Sequence, residues 1–159
     1  MPNKLDAIDR RILVALQRDG RLQNIELARE VGLSPSPCLR RVKALEADGM
    51  IDKYTALLSG PAVGLPLVIF VRVTLERQEK MAVTSFAEAI SKVPEVLECY
   101  LMAGTYDYLL KVAAADLEDY QRFQMEHLTA LPGVRNVVSE IPLKHVKATT
   151  ALPVAVFER

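Results

Sequence analysis

A basic, proline-containing segment over residues 34–45 constrains the fold of this chain more than any other feature. It reads Ser-Pro-Ser-Pro-Cys-Leu-Arg-Arg-Val-Lys-Ala-Leu. Ser34 can act as a helix N-cap, because its hydroxyl can accept a hydrogen bond from a free N–H group of the first turn. Pro35 then occupies the first helical position, where its missing N–H costs nothing, and Pro37 is still within the first turn. The segment is therefore predicted to be a helix that begins after Ser34.

This predicted helix has an apolar face and a basic flank. Cys38, Val42 and Leu45 follow an i, i+4, i+7 spacing, which places them on one face. The basic side chains point away from that face: Arg40, Arg41 and Lys43. Small hydroxyl and proline groups at the front end allow close approach to a surface, and the major groove of DNA suits such a helix.

The preceding residues strengthen this interpretation. Residues 24–31 form a short amphipathic pattern with Leu27, Ala28 and Val31 on the inner face, and Gly32 follows where such a helix ends. Helix, glycine turn and helix is the helix-turn-helix plan, predicted here over about residues 24–46. The alternative is an ordinary helical hairpin whose cationic residues form a solvated face.

A first helix and a strand region complete a predicted N-terminal domain of residues 1–59. Asp6 is suited to cap the first helix, with Asp9 favouring the helix dipole, and an apolar stripe follows to about residue 19. Gln23 is a poorer cap for the second helix than Ser or Thr. Residues 50–58 are predicted to form a short wing-like hairpin or one strand, so that the domain is a winged helix-turn-helix.

Composition indicates a globular protein without a metal or disulfide framework. Half of the 159 residues are hydrophobic, and the spacing of Cys38 and Cys99 suggests neither kind of site. The N-terminus does not resemble a signal peptide, and the longest apolar run, residues 65–71, is too short to cross a bilayer. We therefore expect a cytoplasmic protein without a membrane partner. Because the formal net charge is zero, DNA affinity would depend on the local placement of cations.

A Gly/Pro-rich linker, residues 60–66, leads into a second predicted domain, residues 67–159. That domain alternates β-branched apolar runs with helical patterns. The predicted strands are residues 67–75, 96–102, 108–114 and 134–146, and the predicted helices are residues 81–92 and 117–131. The apolar tail, residues 152–157, is a candidate edge strand.

An internal repeat predicts the topology of this second domain. Residues 92–96, Lys-Val-Pro-Glu-Val, lead from a helix into a strand, and residues 130–134, Ala-Leu-Pro-Gly-Val, do the same. The predicted order is βαββαβ, the ferredoxin-like α+β arrangement, whose sheet has helices on one face only. Because the strands are apolar on both faces, the open face needs a partner, most simply a second copy. Such a two-fold homodimer would read a palindromic DNA site.

The chain resembles the Lrp/AsnC (leucine-responsive, or feast/famine) family of transcriptional regulators. The matching segments are residues 5–13, 24–28, 31–42, 54–58 and 104–112. The Ser-Pro-Ser-Pro-Cys run, joined to a later Gly-x-x-Asp-Tyr turn, is the most specific part. The chain departs from the family pattern at Gln23, at Tyr106, where Phe is common, and in its apolar tail.

The resemblance implies a winged head and a C-terminal amino-acid-binding domain, called RAM, whose dimers often assemble into octamers around which DNA wraps. It also implies that a free amino acid binds between the C-terminal domains and changes assembly or DNA affinity, and we expect leucine or methionine. Carried onto this sequence, the DNA-facing residues are Ser34, Ser36, Pro37, Arg40, Arg41 and Lys43. Arg40 or Arg41 is expected to read guanine, and Lys43 to contact phosphate. Arg41 has a rival role in an ion pair with Glu46 or Glu26.

The turn at residues 104–107 is the best candidate for the effector site. Gly104 leaves a backbone N–H unobstructed, Asp107 can hold an α-ammonium group, and the turn amides can cradle a carboxylate. The full candidate set is Tyr100, Met102, Gly104, Thr105, Tyr106, Asp107, Glu140 and Ile141. The alternative is that Gly and Asp are simply good turn residues.

Two other classes of function remain as alternatives. An enzyme built on the second domain would have to use His127 or His145, the two histidines, yet no nucleophile–base spacing or metal signature accompanies them. No catalytic residue, metal or cofactor is therefore predicted. An architectural DNA-packing protein without an effector would show no thermal response to any amino acid.

Overall fold

The computed structural model describes residues 5–156, which divide into two compact units. The first unit combines the described residues up to Leu57 with those from Lys147 onward, and the second is Leu58–Val146. Residues 147–156 therefore cluster with the N-terminal unit, whereas the sequence assigned them to the second domain. No helix within residues 5–156 combines the length and apolarity needed to cross a membrane.

The described residues of the first unit form three helices: α1 (Ala7–Arg18), α2 (Asn24–Val31) and α3 (Pro35–Ala47). The predicted capping of α1 is confirmed, because Asp6 Oδ1 accepts hydrogen bonds from the N–H groups of Ile8 and Asp9, both at 2.8 Å. Gly32 ends α2 in the left-handed region, with φ 75°, where other residues are strained. The order of α2, glycine turn and α3 is the predicted helix-turn-helix.

A small apolar core holds these helices together. Ile12 of α1, Leu27 and Val31 of α2, and Cys38 of α3 are almost completely buried. Ala28 is also buried, and its short side chain allows the helices to cross closely. The inward face of each helix is therefore the one that its apolar spacing predicted.

Three local predictions for this unit were wrong. Ser34 lies at the N-cap, and its carbonyl accepts from the Cys38 N–H at 3.2 Å, but its hydroxyl makes no capping bond. Residues 50–58 contain no strand, because an extended segment needs a second strand with which to form hydrogen bonds. Leu57 and Leu58 at the end of this segment are exposed. The described tail residues, 152–156, form no edge strand either and contact α1 instead.

The second unit is a four-stranded antiparallel sheet within the described range, in the order β2-β3-β1-β4. A 3₁₀ turn (Pro61–Val63) precedes it. The elements are β1 (Leu67–Leu75), α4 (Lys80–Ile90), β2 (Val96–Leu101), β3 (Tyr108–Ala114), α5 (Leu117–Phe123) with a following π-helical turn (Gln124–Leu128), and β4 (Val134–Glu140). This is the predicted ferredoxin-like topology. The last strand is shorter than the predicted 134–146, because Pro142 has no N–H to continue its ladder with β1.

The helices of this unit cover one face of the sheet. Ile69, Val71 and Val73 of β1 are fully buried beneath α4 and α5, whereas the alternating Phe70 and Arg72 face the other way and are half-buried. Among the described residues of this unit, no helix covers the opposite face, as the sequence predicted.

Candidate nucleic-acid interface and ligand site

The solvent face of α3 carries unengaged polar side chains. Ser36, Arg40 and Lys43 are exposed and follow the spacing that aligns residues along one helix face. Neither Arg40 nor Lys43 makes a side-chain hydrogen bond or ion pair with any residue in the described part of the chain. Their donors are thus available for phosphate oxygens or base edges. The exposed Ser34 hydroxyl, which does not cap the helix, lies at the same N-terminal end.

Arg41 is turned toward α1 rather than toward this face. Its Nη1 lies 2.6 Å from Asp6 Oδ2 and 2.7 Å from Asp9 Oδ1. The Asp9 backbone N–H and the Arg41 guanidinium lower the pKa of the Asp6 carboxyl, and the two carboxylates raise the pKa of Arg41. Arg41 therefore forms a structural ion pair, but the expected partners Glu46 and Glu26 were wrong.

Other contacts fix the two ends of α3. Glu46 accepts a hydrogen bond from the Tyr54 hydroxyl at 2.9 Å, and burial followed by this acid raises the pKa of Tyr54 to about 12. Asn24 Nδ2, at the start of α2, donates to the Pro35 carbonyl at 2.8 Å. The sequence had not singled out Asn24 or Tyr54. Pro37 lies one turn before Arg41 and is half-buried.

In the second unit, the turn before β3 is held by Asp107. The Met102 N–H donates to the Asp107 carbonyl at 2.8 Å and closes the turn. The Asp107 side chain is buried, and its Oδ2 accepts from the Leu75 N–H at 2.7 Å while Oδ1 accepts from Gln78 Nε2 at 2.8 Å. Both carboxylate oxygens therefore stabilise the end of β1 and the loop after it.

Gly104 and Thr105, at the tip of this turn, are exposed. A Cβ placed on Gly104 would meet no atom within 4 Å, and its backbone φ is not in the left-handed region. No contact within the described chain therefore requires glycine at this position. The predicted role of Gly104, an unobstructed N–H for a ligand, stays compatible with this open geometry.

Arg72 connects the turn to β4, and the sequence analysis missed it. Its Nη2 lies 2.6 Å from Glu140 Oε1, and its guanidinium carbon lies 5.5 Å from the centre of the Tyr106 ring. Its Nε is buried without a hydrogen-bond partner within the described residues. A single charged residue in the apolar run Leu67–Leu75 was the signal that could have identified it.

Tyr100 belongs to a different cluster on the open face of the sheet. Its hydroxyl donates to Glu98 Oε2 at 2.6 Å, and Lys111 Nζ lies 2.8 Å from Glu98 Oε1. Lys111, followed by Tyr100, lowers the pKa of the Glu98 carboxyl, which in turn raises the pKa of the Tyr100 phenol. The candidate set thus divides into the Arg72-linked turn and this tyrosine cluster, while Ile141 is exposed beyond β4.

His127 packs beside an aromatic side chain of the preceding helix. The His127 ring lies 5.7 Å from the Phe123 ring. Among residues 5–156, no three His, Cys, Asp or Glu side chains are grouped so that they could hold a metal ion.

Both units match known protein families. The family model described as the Lrp/AsnC ligand binding domain matches residues 68–152, and the family model described as winged helix-turn-helix DNA-binding matches residues 5–52. The leucine-responsive regulatory proteins of Escherichia coli K12 and Klebsiella pneumoniae are each 43% identical to the chain over 148 residues. Each alignment covers 93% of this chain and 90% of the relative.

Solved structures agree over almost the whole chain. A transcriptional regulator of Neisseria meningitidis in complex with L-Met has a TM-score of 0.91 and 44% identity, covering 95% of this chain and 97% of its own. An AsnC family transcriptional regulator from Agrobacterium tumefaciens has a TM-score of 0.90 and 36% identity, covering 95% and 98%. All four relatives are regulators by name.

Proposed function

Because this chain belongs to the Lrp/AsnC family of DNA-binding transcriptional regulators with an amino-acid-binding domain, we propose that it reads a palindromic site with the exposed face of α3 and responds to leucine or methionine. The observation that carries the proposed DNA reading is that Arg40 and Lys43 pair with no other side chain within residues 5–156, on a helix whose other face is anchored in the core. Arg40 contacts guanine and Lys43 contacts phosphate, while Ser34 and Ser36 approach the backbone.

Dimerisation through the open face of the sheet would supply the second α3 for a palindrome. Phe70, Leu109 and Val138 lie on that face in neighbouring strands, interspersed with the Arg72–Glu140 and Lys111–Glu98 ion pairs. A surface that combines apolar side chains with already paired charges suits the same surface of a second copy. We propose a homodimer on this basis, and its assembly into octamers from the family alone.

We propose that the amino acid binds at the turn of residues 104–107. The exposed Gly104 leaves room for a ligand, and Arg72 has an unused Nε beside the Tyr106 ring. Because both oxygens of Asp107 are engaged within the chain, Asp107 acts by shaping the turn, and its carboxylate can accept a further hydrogen bond from an α-ammonium group. The L-Met complex of a relative and the name of the leucine-responsive relatives support a small apolar ligand.

The response to the amino acid follows from linkage. A ligand that binds one assembly or one domain arrangement more tightly than another shifts the population and changes DNA occupancy. The Gly/Pro-rich segment 60–66 is the proposed hinge. This activity belongs in the cytoplasm, where both the amino acid and the DNA are accessible, and it needs no cofactor.

The proposed reading of a palindrome is tested by comparing the affinity of the protein for a palindromic DNA site with its affinity for the half-site. We expect the palindrome to bind more tightly, with a salt dependence that reports the number of phosphate contacts. Equal affinity for the palindrome, the half-site and unrelated DNA at matched salt would contradict sequence-specific reading by a dimer.

The effector part is tested by a thermal-shift screen of the twenty amino acids, followed by sizing with and without the ligand found. A ligand at 100 times its dissociation constant should stabilise the folded protein by about 2.7 kcal/mol. If no amino acid raises the melting temperature, the chain is an architectural DNA-binding protein instead. A response restricted to acidic or basic amino acids would contradict the apolar ligand.

A further inference from the structure

The C-terminal tail is held on α1 by a side chain that pairs with its backbone. Gln17 Nε2 donates to the Leu152 carbonyl at 3.1 Å, and the Leu152 N–H donates to Gln17 Oε1 at 2.6 Å. One glutamine amide thus satisfies both polar groups of a residue, as a neighbouring strand would. Two residues later, Arg10 Nη1 donates to the Val154 carbonyl at 2.7 Å.

Packing adds one apolar anchor to these backbone contacts. Val154 is half-buried and packs against the helical core of the first unit. Leu152 and Val156, on either side of it, remain 69% and 78% exposed. Thr149 and tail residues 151–155, together with Val14, Gln17 and Arg18 of α1, line a groove of about 510 Å³.

Such a contact is specific but weak. Its hydrogen bonds are directed at a defined backbone register, so that sliding the tail by one residue would break them. Yet within residues 149–156 only the Val154 side chain is appreciably buried, and segments with few buried apolar contacts open at low free-energy cost. The tail therefore has the properties of a peptide that docks and undocks while the three helices stay folded.

The tail also continues directly from the amino-acid-binding unit. Eight residues, 141–148, connect it to Glu140 at the end of β4. Glu140 pairs with Arg72, whose guanidinium lies over the Tyr106 ring of the candidate ligand turn. The matched ligand-binding family domain extends to residue 152, so the residue that Gln17 holds is still part of it.

We propose that the α1 surface formed by Val14, Gln17 and Arg18 is a docking site for the chain's own C-terminal tail, residues 149–156. Docking gives the DNA-binding unit a second covalent connection to the amino-acid-binding unit, in addition to the linker of residues 60–66. The coupling role rests on the proposed function: an amino acid that alters the end of β4 changes tail docking, and thereby the response of DNA binding. The docking itself does not depend on that function.

Amide hydrogen exchange on the full-length protein tests the docking. Gln17→Ala removes the acceptor of the Leu152 N–H, so the Leu152 amide should exchange about tenfold faster. Gln121→Ala, the same change at an exposed position of α5, should leave that rate unchanged. If the Leu152 amide is equally protected in the parent and in Gln17→Ala, the docking site is wrong.

A complementary variant addresses the tail side. Leu152→Pro removes the backbone N–H that donates to Gln17 while keeping Gln17 intact. We expect Gln17→Ala and Leu152→Pro to reduce the amino-acid-induced change in DNA affinity to a similar degree, and the double variant to add little. If both variants release the tail but keep the parent's amino-acid-induced change in DNA affinity, the proposed coupling is wrong. If the parent itself shows no response, the proposed effector function fails, while exchange still decides the docking.

Cross-linking separates docking within one chain from exchange between copies. In a Cys99→Ser background, a short bismaleimide added to the Gln17→Cys, Leu152→Cys protein should join the two thiols by thioether bonds and close a loop within one chain. On a non-reducing gel the product should migrate as a monomer. A covalent dimer would mean that the tail belongs to a second copy, and the absence of any cross-link would mean that it does not dock; either result contradicts the proposal.

Discussion

The polar side chains on the solvent face of α3 and those at the turn before β3 differ in whether they already have partners within the chain. On α3, Arg40 and Lys43 are exposed and unpaired within the described residues, so they can bind DNA without breaking an existing contact. At the turn, both oxygens of Asp107 are bonded and Arg72 already pairs with Glu140. A ligand there must add to or exchange internal bonds, and that exchange can transmit a signal.

The largest expected effect is on the stability of the second unit. Asp107→Ala leaves the Leu75 N–H and the Gln78 amide without their acceptors, and we expect unfolding to become easier by about 3 kcal/mol. Urea denaturation measures this loss. Asp52→Ala, the same change at an exposed site, should stay within about 0.5 kcal/mol of the parent.

Asp107→Ala also tests whether the turn differs from the α3 face in using its polar side chains for internal contacts. A variant as stable as the parent that no longer responds to leucine or methionine would make Asp107 a ligand group rather than a structural one. Asp107→Asn, which keeps one acceptor oxygen, should lie between the parent and Asp107→Ala in stability.

Arg40→Ala should come next, and its effect should be on DNA rather than on folding. Loss of a guanine contact is expected to weaken binding to the specific site by about 1–3 kcal/mol, or roughly 5- to 150-fold, at matched salt. Arg135→Ala, which removes the same charge from exposed β4, is the control. Equal losses in both variants would mean that bulk charge, not the α3 face, determines affinity.

Arg41→Ala should have a smaller effect, and it should lower the stability of the fold more than the affinity for DNA. Its guanidinium holds Asp6 and Asp9 at the start of α1 but is one-third exposed, so we expect destabilisation of about 1 kcal/mol. DNA affinity should fall less than in Arg40→Ala. A fully stable Arg41→Ala protein with relaxed base preference would place Arg41 on DNA instead.

The smallest expected effect is on the pH dependence of the stability of the first unit. Because the folded pKa of Tyr54 is raised from 10.0 to about 12, the protonated phenol stabilises the fold below pH 10, and this contribution is lost as the pH rises through about 12. Comparing stability against pH for the parent and Tyr54→Phe isolates it. If both proteins lose stability in parallel over that window, the Tyr54–Glu46 contact contributes nothing.

The sequence predicted most elements because their signals are local. Asp6 caps the start of α1, and Gly32 ends α2 in a left-handed backbone conformation. The β-branched apolar run 67–75 forms β1 with its predicted limits. The failures needed non-local information. An apolar tail can complete a sheet or cover a helix, and the sequence of residues 152–156 does not choose between them.

The sequence by itself thus determined the two folds, the family and the basic helix, because periodicity and capping act within a few residues. Only the tertiary structure decided that Arg41 pairs with Asp6 and Asp9, that Arg72 connects the ligand turn to β4, and that the tail returns to Gln17. The physical reason is that ion pairs and hydrogen bonds depend on distances of a few ångströms between residues remote in sequence. Those distances exist only once the cores have packed.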